Sequence, residues 1–122
     1  MKFYNIPLSG RRAVVVGRSL VVRASRSMML DRENATVTLC NSRTQTCRKS
    51  AARPMLWWWP WARWLYRCRT SAAGQVVVDV GIHVNEEGRL CGDVRFGEAE
   101  PVVEAITPVP GGVGTVTTSV LV

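Results

Sequence analysis

"RRAVVVGRS", residues 11 to 19, is the stretch on which the reading of the fold turns. Ala13 to Val16 are continuously apolar and close on Gly17. A run that does not alternate marks a strand buried on both faces rather than one with a wet side. The glycine lets the backbone turn sharply at the strand's carboxyl end. Behind it "SMMLDREN" (27–34) can continue as helix, and "ATVTLCNSRT" (35–44) alternates like a second strand before ending in small polar residues. Strand, turn, helix and strand in that order build a parallel sheet, because parallel neighbours need a crossover. The expected fold class is α/β.

Working outward, "GQVVVDVGIHV" (74–84) is another buried-type strand with a glycine after its acidic residue, followed by the turn "NEEGRL" and then "CGDV". "ITPVPGGVGTVTTSVLV" (106–122) is a Pro/Gly loop followed by a β-branched apolar tail. No internal repeat is present. In residues 45 to 73 neither the helical nor the strand period holds, and the composition shifts to "MLWWWPWARWLYRCR" (55–69).

At 122 residues the chain makes one domain at most. Its formal charge of +7 resembles that of a polyanion binder. The excess is local, however: Arg48, Lys49, Arg53, Arg63, Arg67 and Arg69 lie in residues 45 to 73 with no acidic residue among them, which leaves about +1 for the rest. Nucleic acid is therefore not expected as a partner. No apolar run reaches the roughly 20 residues of a membrane span. Cys40, Cys47, Cys68 and Cys91 show no CxxC spacing, and no signal peptide precedes them, so neither disulfides nor a metal site is expected and a reducing cytoplasm is the default.

The first turn carries chemistry. A helix that follows Gly17 points its free amides at an anion, and Arg18 and Ser19 sit where a phosphate would arrive. The alternative is a tight turn of any α/β protein, since the full GxGxxG is absent. At the end of the second strand, where such domains contact the adenosine ribose, Ser42 and Arg43 stand in place of an acidic residue. They suit a 2′-phosphate, which favours NADP over NAD. His83 has no Cys, Asp or Glu at ligand spacing and reads as a turn histidine. Asp79 reads as the organiser of a strand-end turn, Asp93 as structural, and Cys91 as a small buried residue.

Together "RRAVVVGRS", "NATVTLCNSRT", "VVVDVGIHV", "GRLCGDVRF" and "ITPVPGGVGTVTTSVL" resemble the C-terminal half of the bifunctional methylenetetrahydrofolate dehydrogenase/cyclohydrolase family, over residues 3 to 44 and 74 to 122. The resemblance implies a Rossmann-type NADP domain. It also implies that Gly17, Arg18 and Ser19 touch the cofactor phosphates, Ser42 and Arg43 the adenosine end, and Ile82 the nicotinamide end. Pro108, Val109, Pro110, Gly111, Gly112, Val113 and Gly114 would line the folate cleft. By the same resemblance the intact enzyme is a homodimer that takes a folate substrate. The family's catalytic Tyr-x-x-x-Lys lies in the other half. Lys2 and Lys49 are the lysines here, and neither sits in such a motif, so no catalytic residue is assigned.

Two departures stand out. The family continues "GRS" with a pattern near V-G-x-P, where this chain has Val22, Arg23, Ala24 and Ser25. The family also has a valine-rich third strand where this chain has the tryptophan run. Tryptophan has the single codon TGG. Read from the third base of each codon, Leu56 to Ala62 allow Leu-Val-Val-Ala-Val-Gly. Residues 45 to 73 are thus expected to be out of frame and poorly ordered, in a truncated domain over 1–122 whose sheet is incomplete because the Trp-rich segment replaces an inner strand. Two alternatives remain open: a non-enzymatic nucleotide-binding remnant or pseudogene product, and a basic-aromatic membrane-active segment on an α/β scaffold.

Overall fold

A computed structural model describes residues 1–17, 20–41, 43–44, 55–59 and 73–121, except the side chains of 20–23, 55–59, 117–118 and 120–121. The continuous apolar run forms β1 (Arg12–Val16) and ends at Gly17, as its pattern requires. Helix α1 (Leu20–Arg32) crosses to β2 (Thr36–Cys40), which pairs parallel to β1 with Val14 opposite Thr38. The helix stops where Asn34 takes the left-handed conformation, φ 60°, and Ala35 N–H donates to the Leu30 carbonyl at 3.1 Å. That backbone reversal satisfies a terminal carbonyl and launches β2.

Three further strands complete a five-stranded, wholly parallel sheet: β3 (Met55–Trp59), β4 (Val76–Asp79) and β7 (Ala105–Ile106), in the spatial order β2-β1-β3-β4-β7. A small antiparallel hairpin, β5 (His83–Val84) with β6 (Leu90–Cys91), follows β4. A 3-10 turn (Lys2–Tyr4), the short helix α2 (Phe96–Ala99) and a C-terminal helix α3 (Val113–Leu121) are the other helical elements among the described residues.

Here the expectation of an incomplete sheet is corrected. Met55–Trp59 itself forms the inner strand, with Trp57 opposite Val14 on one side and Val77 on the other. The physical reason is that ladder bonds are made by backbone groups, and a run of large apolar and aromatic residues is compatible with a pleated strand. The remainder of the expected disordered stretch, 45–54 and 60–72, lies outside the described residues.

Both faces of the sheet are covered, which is what the non-alternating strands implied. Ala13 and Val15 pack on one face with Leu30, Ala35, Val76 and Val78. Val14 and Val16 pack on the other with Cys40, Val77, Val94 and Ala99. Each of Ala13 to Val16 is fully buried. At about 25 cal/mol per Å² of apolar surface, a buried valine side chain contributes about 1.5 kcal/mol or more to this core. The parallel arrangement brings the carboxyl ends of β1, β2, β3, β4 and β7 to one edge of the sheet. The order reverses between β1 and β3, and in open parallel sheets the crevice beside such a reversal is where ligands bind.

The tail after the Pro/Gly loop is helical despite its β-branched residues. Thr115 Oγ1 donates to the Gly112 carbonyl at 2.7 Å and Ser119 Oγ to the Thr115 carbonyl at 2.9 Å, so hydroxyls that compete with a helix here bond back onto it.

Candidate functional site

At the carboxyl edge of β4 and β7 lies a cleft of about 270 Å³. One wall is Asp79 to Ile82 with Leu90; the other is Pro108 to Thr115. Ile82 and all seven residues from Pro108 to Gly114, singled out in the sequence, therefore share one cavity. A hollow of about 20 Å³ at the opposite edge, beside Ile6, Leu8 and Arg11, has room for little more than a water molecule.

The Pro/Gly wall is shaped by its glycines. Gly111 has φ +93°, and a Cβ on Gly112 would press against the Pro108 carbonyl. The loop thus folds back on its own backbone before α3 begins.

The other wall is held by two buried carboxylates. Asp79, at the end of β4, accepts from Gly81 N–H at 2.8 Å through Oδ1 and from Val94 N–H at 2.9 Å through Oδ2. Its own N–H donates to Thr107 Oγ1 at 2.8 Å, which ties β4 to the residue after β7. Burial pushes the Asp79 carboxyl above its ordinary range; the amides of Val94, Gly81 and Asp93 pull it back, and the nearby Asp93 charge adds to the rise. The reading of Asp79 as a turn organiser holds.

His83 is corrected. It is not a partnerless turn histidine: its Nε2 lies 2.5 Å from Asp93 Oδ1. Their separation of ten positions is closed by the hairpin, which sets His83 opposite Cys91. The turn is fixed by Asn85, whose Oδ1 accepts from Glu87 N–H at 3.1 Å and Arg89 N–H at 2.8 Å, with Gly88 at φ +75°. Sequence reasoning missed the mutual packing of glycine and carboxylate. A Cβ on Gly81 would lie 2.6 Å from Asp93 Cγ, and one on Gly92 would lie 2.7 Å from Asp79 Cγ. The signal was there as an Asp-x-Gly followed by a Gly-Asp.

Of the remaining expected site residues, Gly17 is buried at the end of β1 with φ +153°, a region that favours glycine, and its N–H donates to the Cys40 carbonyl at 3.0 Å. Arg43 is exposed in the turn after β2, its N–H bonded to Asn41 Oδ1 at 2.9 Å. Arg18, Ser19 and Ser42 lie outside the described residues. Among the described residues no three His, Cys, Asp or Glu side chains gather as a metal site, and no helix is long and apolar enough to cross a membrane.

The family model for the tetrahydrofolate dehydrogenase/cyclohydrolase NAD(P)-binding domain matches residues 1–122. The chain belongs to this family. Among curated relatives, the bifunctional protein FolD of Carboxydothermus hydrogenoformans is 49% identical over 127 residues, covering 99% of this chain and 43% of the relative. FolD of Clostridioides difficile is 45% identical, covering 99% and 42%. The chain thus spans about two fifths of the length of these relatives. Solved structures agree on the fold. The FolD methylenetetrahydrofolate dehydrogenase/cyclohydrolase of Campylobacter jejuni superposes with a TM-score of 0.88 at 36% identity, covering 98% of this chain and 43% of that one. The Trypanosoma brucei enzyme, solved with NADP cofactor and an inhibitor, gives 0.83 at 33% identity, with the same coverage of 98% and 43%.

Proposed function

We propose that this chain is the NADP-binding half of a bifunctional methylenetetrahydrofolate dehydrogenase/cyclohydrolase. The observation that carries the reading is the cleft at the carboxyl edge of β4 and β7, on the same edge as the glycine that ends β1. The residues fit a dinucleotide. Gly17 adds no side chain at the point where a phosphate would meet the opening of α1, and its φ of +153° is one that a larger residue adopts only with strain. Arg18 and Ser19 would complete the phosphate contacts. Ser42 and Arg43 would take the adenosine end, where the Arg43 guanidinium suits a 2′-phosphate and so selects NADP over NAD.

When bound, the nicotinamide accepts the hydride released as 5,10-methylenetetrahydrofolate becomes the methenyl compound, which water then opens to 10-formyltetrahydrofolate. The chain's own part is placement: Ile82 offers an apolar contact to the nicotinamide end, and Pro108 to Gly114 shape a wall against which the folate lies. Proton transfer belongs to the lysine-bearing half. By this reading the chain alone binds cofactor and does not turn over substrate. The test is calorimetric titration of the chain with NADP and NAD. Saturable binding that favours NADP supports the proposal; a folded chain that takes up neither cofactor refutes it.

A second reading concerns residues 45 to 73, and the pairing of β3 supports it. Trp57 pairs with Val14 on one side and Val77 on the other, both from strands rich in valine. We infer that the segment is an out-of-frame reading of such a strand. The coding DNA decides: a stop codon in the shifted frame between positions 48 and 74 would exclude it.

A further inference from the structure

We infer that His83 and Asp93 are positioning residues: their hydrogen bond fixes Ile82 as a stiff apolar platform for the flat ring of the cofactor. The inference rests on the NADP-binding reading above for the identity of the ring. Ile82 is 67% exposed although it lines the cleft, so its side chain is an uncovered apolar surface. Its backbone, by contrast, is anchored on both sides. On one side Gly81 donates its N–H to Asp79 and lies against the Asp93 carboxylate so closely that a Cβ there would sit 2.9 Å from Asp93 N. On the other, His83 Nε2 meets Asp93 Oδ1 at 2.5 Å. One carboxylate therefore touches both neighbours of Ile82.

The Asp93 side chain is wholly buried and that of His83 only 22% exposed. A hydrogen bond shielded in this way stays closed more of the time than one in water. Holding the residue in its bound conformation before the ligand arrives removes an ordering cost that binding would otherwise meet. The hairpin supplies the geometry, since pairing His83 with Cys91 brings Asp93 within reach. Among the described residues no other side chain is bonded to the imidazole.

The experiment compares the full chain with His83→Leu, His83→Asn and His83→Gln. A Gln amide nitrogen reaches about as far from the backbone as His Nε2, whereas Asn is too short and Leu cannot donate. NADPH affinity is read by fluorescence titration, and hydrogen exchange at the Ile82 to Val84 amides is read without ligand. His83→Leu and His83→Asn should bind NADPH about fivefold to fifteenfold more weakly, the net worth of one hydrogen bond, and should exchange faster at those amides. His83→Gln should stay within about twofold of the parent in both readouts.

Equal affinity and equal exchange in all four proteins would overturn the clasp. So would His83→Gln falling as far as His83→Leu while thermal midpoints stay level. If the parent itself binds no NADPH, the functional reading fails, and the exchange data still judge the clasp on their own. Should His83→Leu fail to fold, the Asn and Gln variants carry the comparison.

Discussion

Replacing Gly92 by alanine probes the cleft wall at its tightest point. A Cβ there would lie 2.7 Å from Asp79 Cγ and 3.0 Å from Val109 Cγ2, both inside ordinary contact distance. Flexible side chains often yield to such a clash. Asp79 is not free to do so, because it is 3% exposed and both of its carboxylate oxygens are engaged, by Gly81 N–H at 2.8 Å and Val94 N–H at 2.9 Å. Displacing it costs about 1–3 kcal/mol of overpacking strain and leaves at least one buried amide short of a partner, about 1–3 kcal/mol more. A central figure of about 3 kcal/mol is a large part of the 5–15 kcal/mol typical of a domain, yet it leaves the variant folded. In urea, with a slope of about 1.5 kcal/mol/M, the midpoint should fall by about 2 M. The double variant Asp79→Ala/Gly92→Ala isolates the cause. If Asp79 is the obstacle, adding Gly92→Ala to Asp79→Ala costs little further. A midpoint for Gly92→Ala within about 0.3 M of the parent, or costs that simply add in the double variant, would refute the argument.

Arg43→Ala should weaken NADP binding about tenfold while leaving NAD binding unchanged, since only the 2′-phosphate distinguishes the two; parallel calorimetric titrations check it, and equal losses for both cofactors would count against the assignment. Asp79 should leave a mark on the pH dependence of stability. Its folded carboxyl is raised above the ordinary 3.8, so the stability it contributes is fully present below that value and is lost as pH rises through the raised one. The stability of the parent relative to Asp79→Asn should therefore decline as pH rises from 3.8 through the raised value, and a difference that grows with pH there would contradict the sign. Residues 1–122 assayed by themselves should show no dehydrogenase or cyclohydrolase turnover, since no Tyr-x-x-x-Lys occurs among them; activity that follows the folate substrate and survives repurification would overturn that.

What the sequence disclosed is what periodicity encodes. Ala13 to Val16 and Val76 to Val78 are buried on both faces, and a strand of that kind has only one composition open to it. Gly17 was legible for a related reason: a φ of +153° leaves few residues able to end β1. Composition marked Pro108–Gly114 only as a Pro/Gly loop; its place along a cleft came from the family resemblance, since no local pattern says what a loop faces. The His83–Asp93 bond has no such local mark. Ten residues apart, the pair meets only because Asn85 and Gly88 close a hairpin whose strands are two residues long, too short for alternation to announce. The helix over Val113–Leu121 was hidden in the same way, since its β-branched composition argues for a strand and the bonds that offset it, Thr115 to Gly112 and Ser119 to Thr115, appear only once the turn exists.

The tryptophan strand marks the boundary of side-chain reasoning. Composition and the codon reading argued that Met55–Trp59 did not belong in the sheet. A parallel ladder, though, is made from N–H and C=O groups that every residue except proline supplies in full, and between Met55 and Trp59 no proline intervenes. The strand therefore keeps register with β1 and β4 whatever its side chains demand. This bears on function, because the cleft wall hangs from the carboxyl end of β4. Asp79, the residue that organises that wall, pairs in register with Trp59. Returning β3 to a valine-rich sequence would leave that backbone pairing in place. Its expected effect is thus on stability, and the geometry at Asp79, Gly81 and Ile82 should be unchanged. A repaired chain that gained thermal stability and bound NADP no more tightly would fit this account. One in which affinity rose well beyond the gain in folded fraction would show that β3 side chains reach the site.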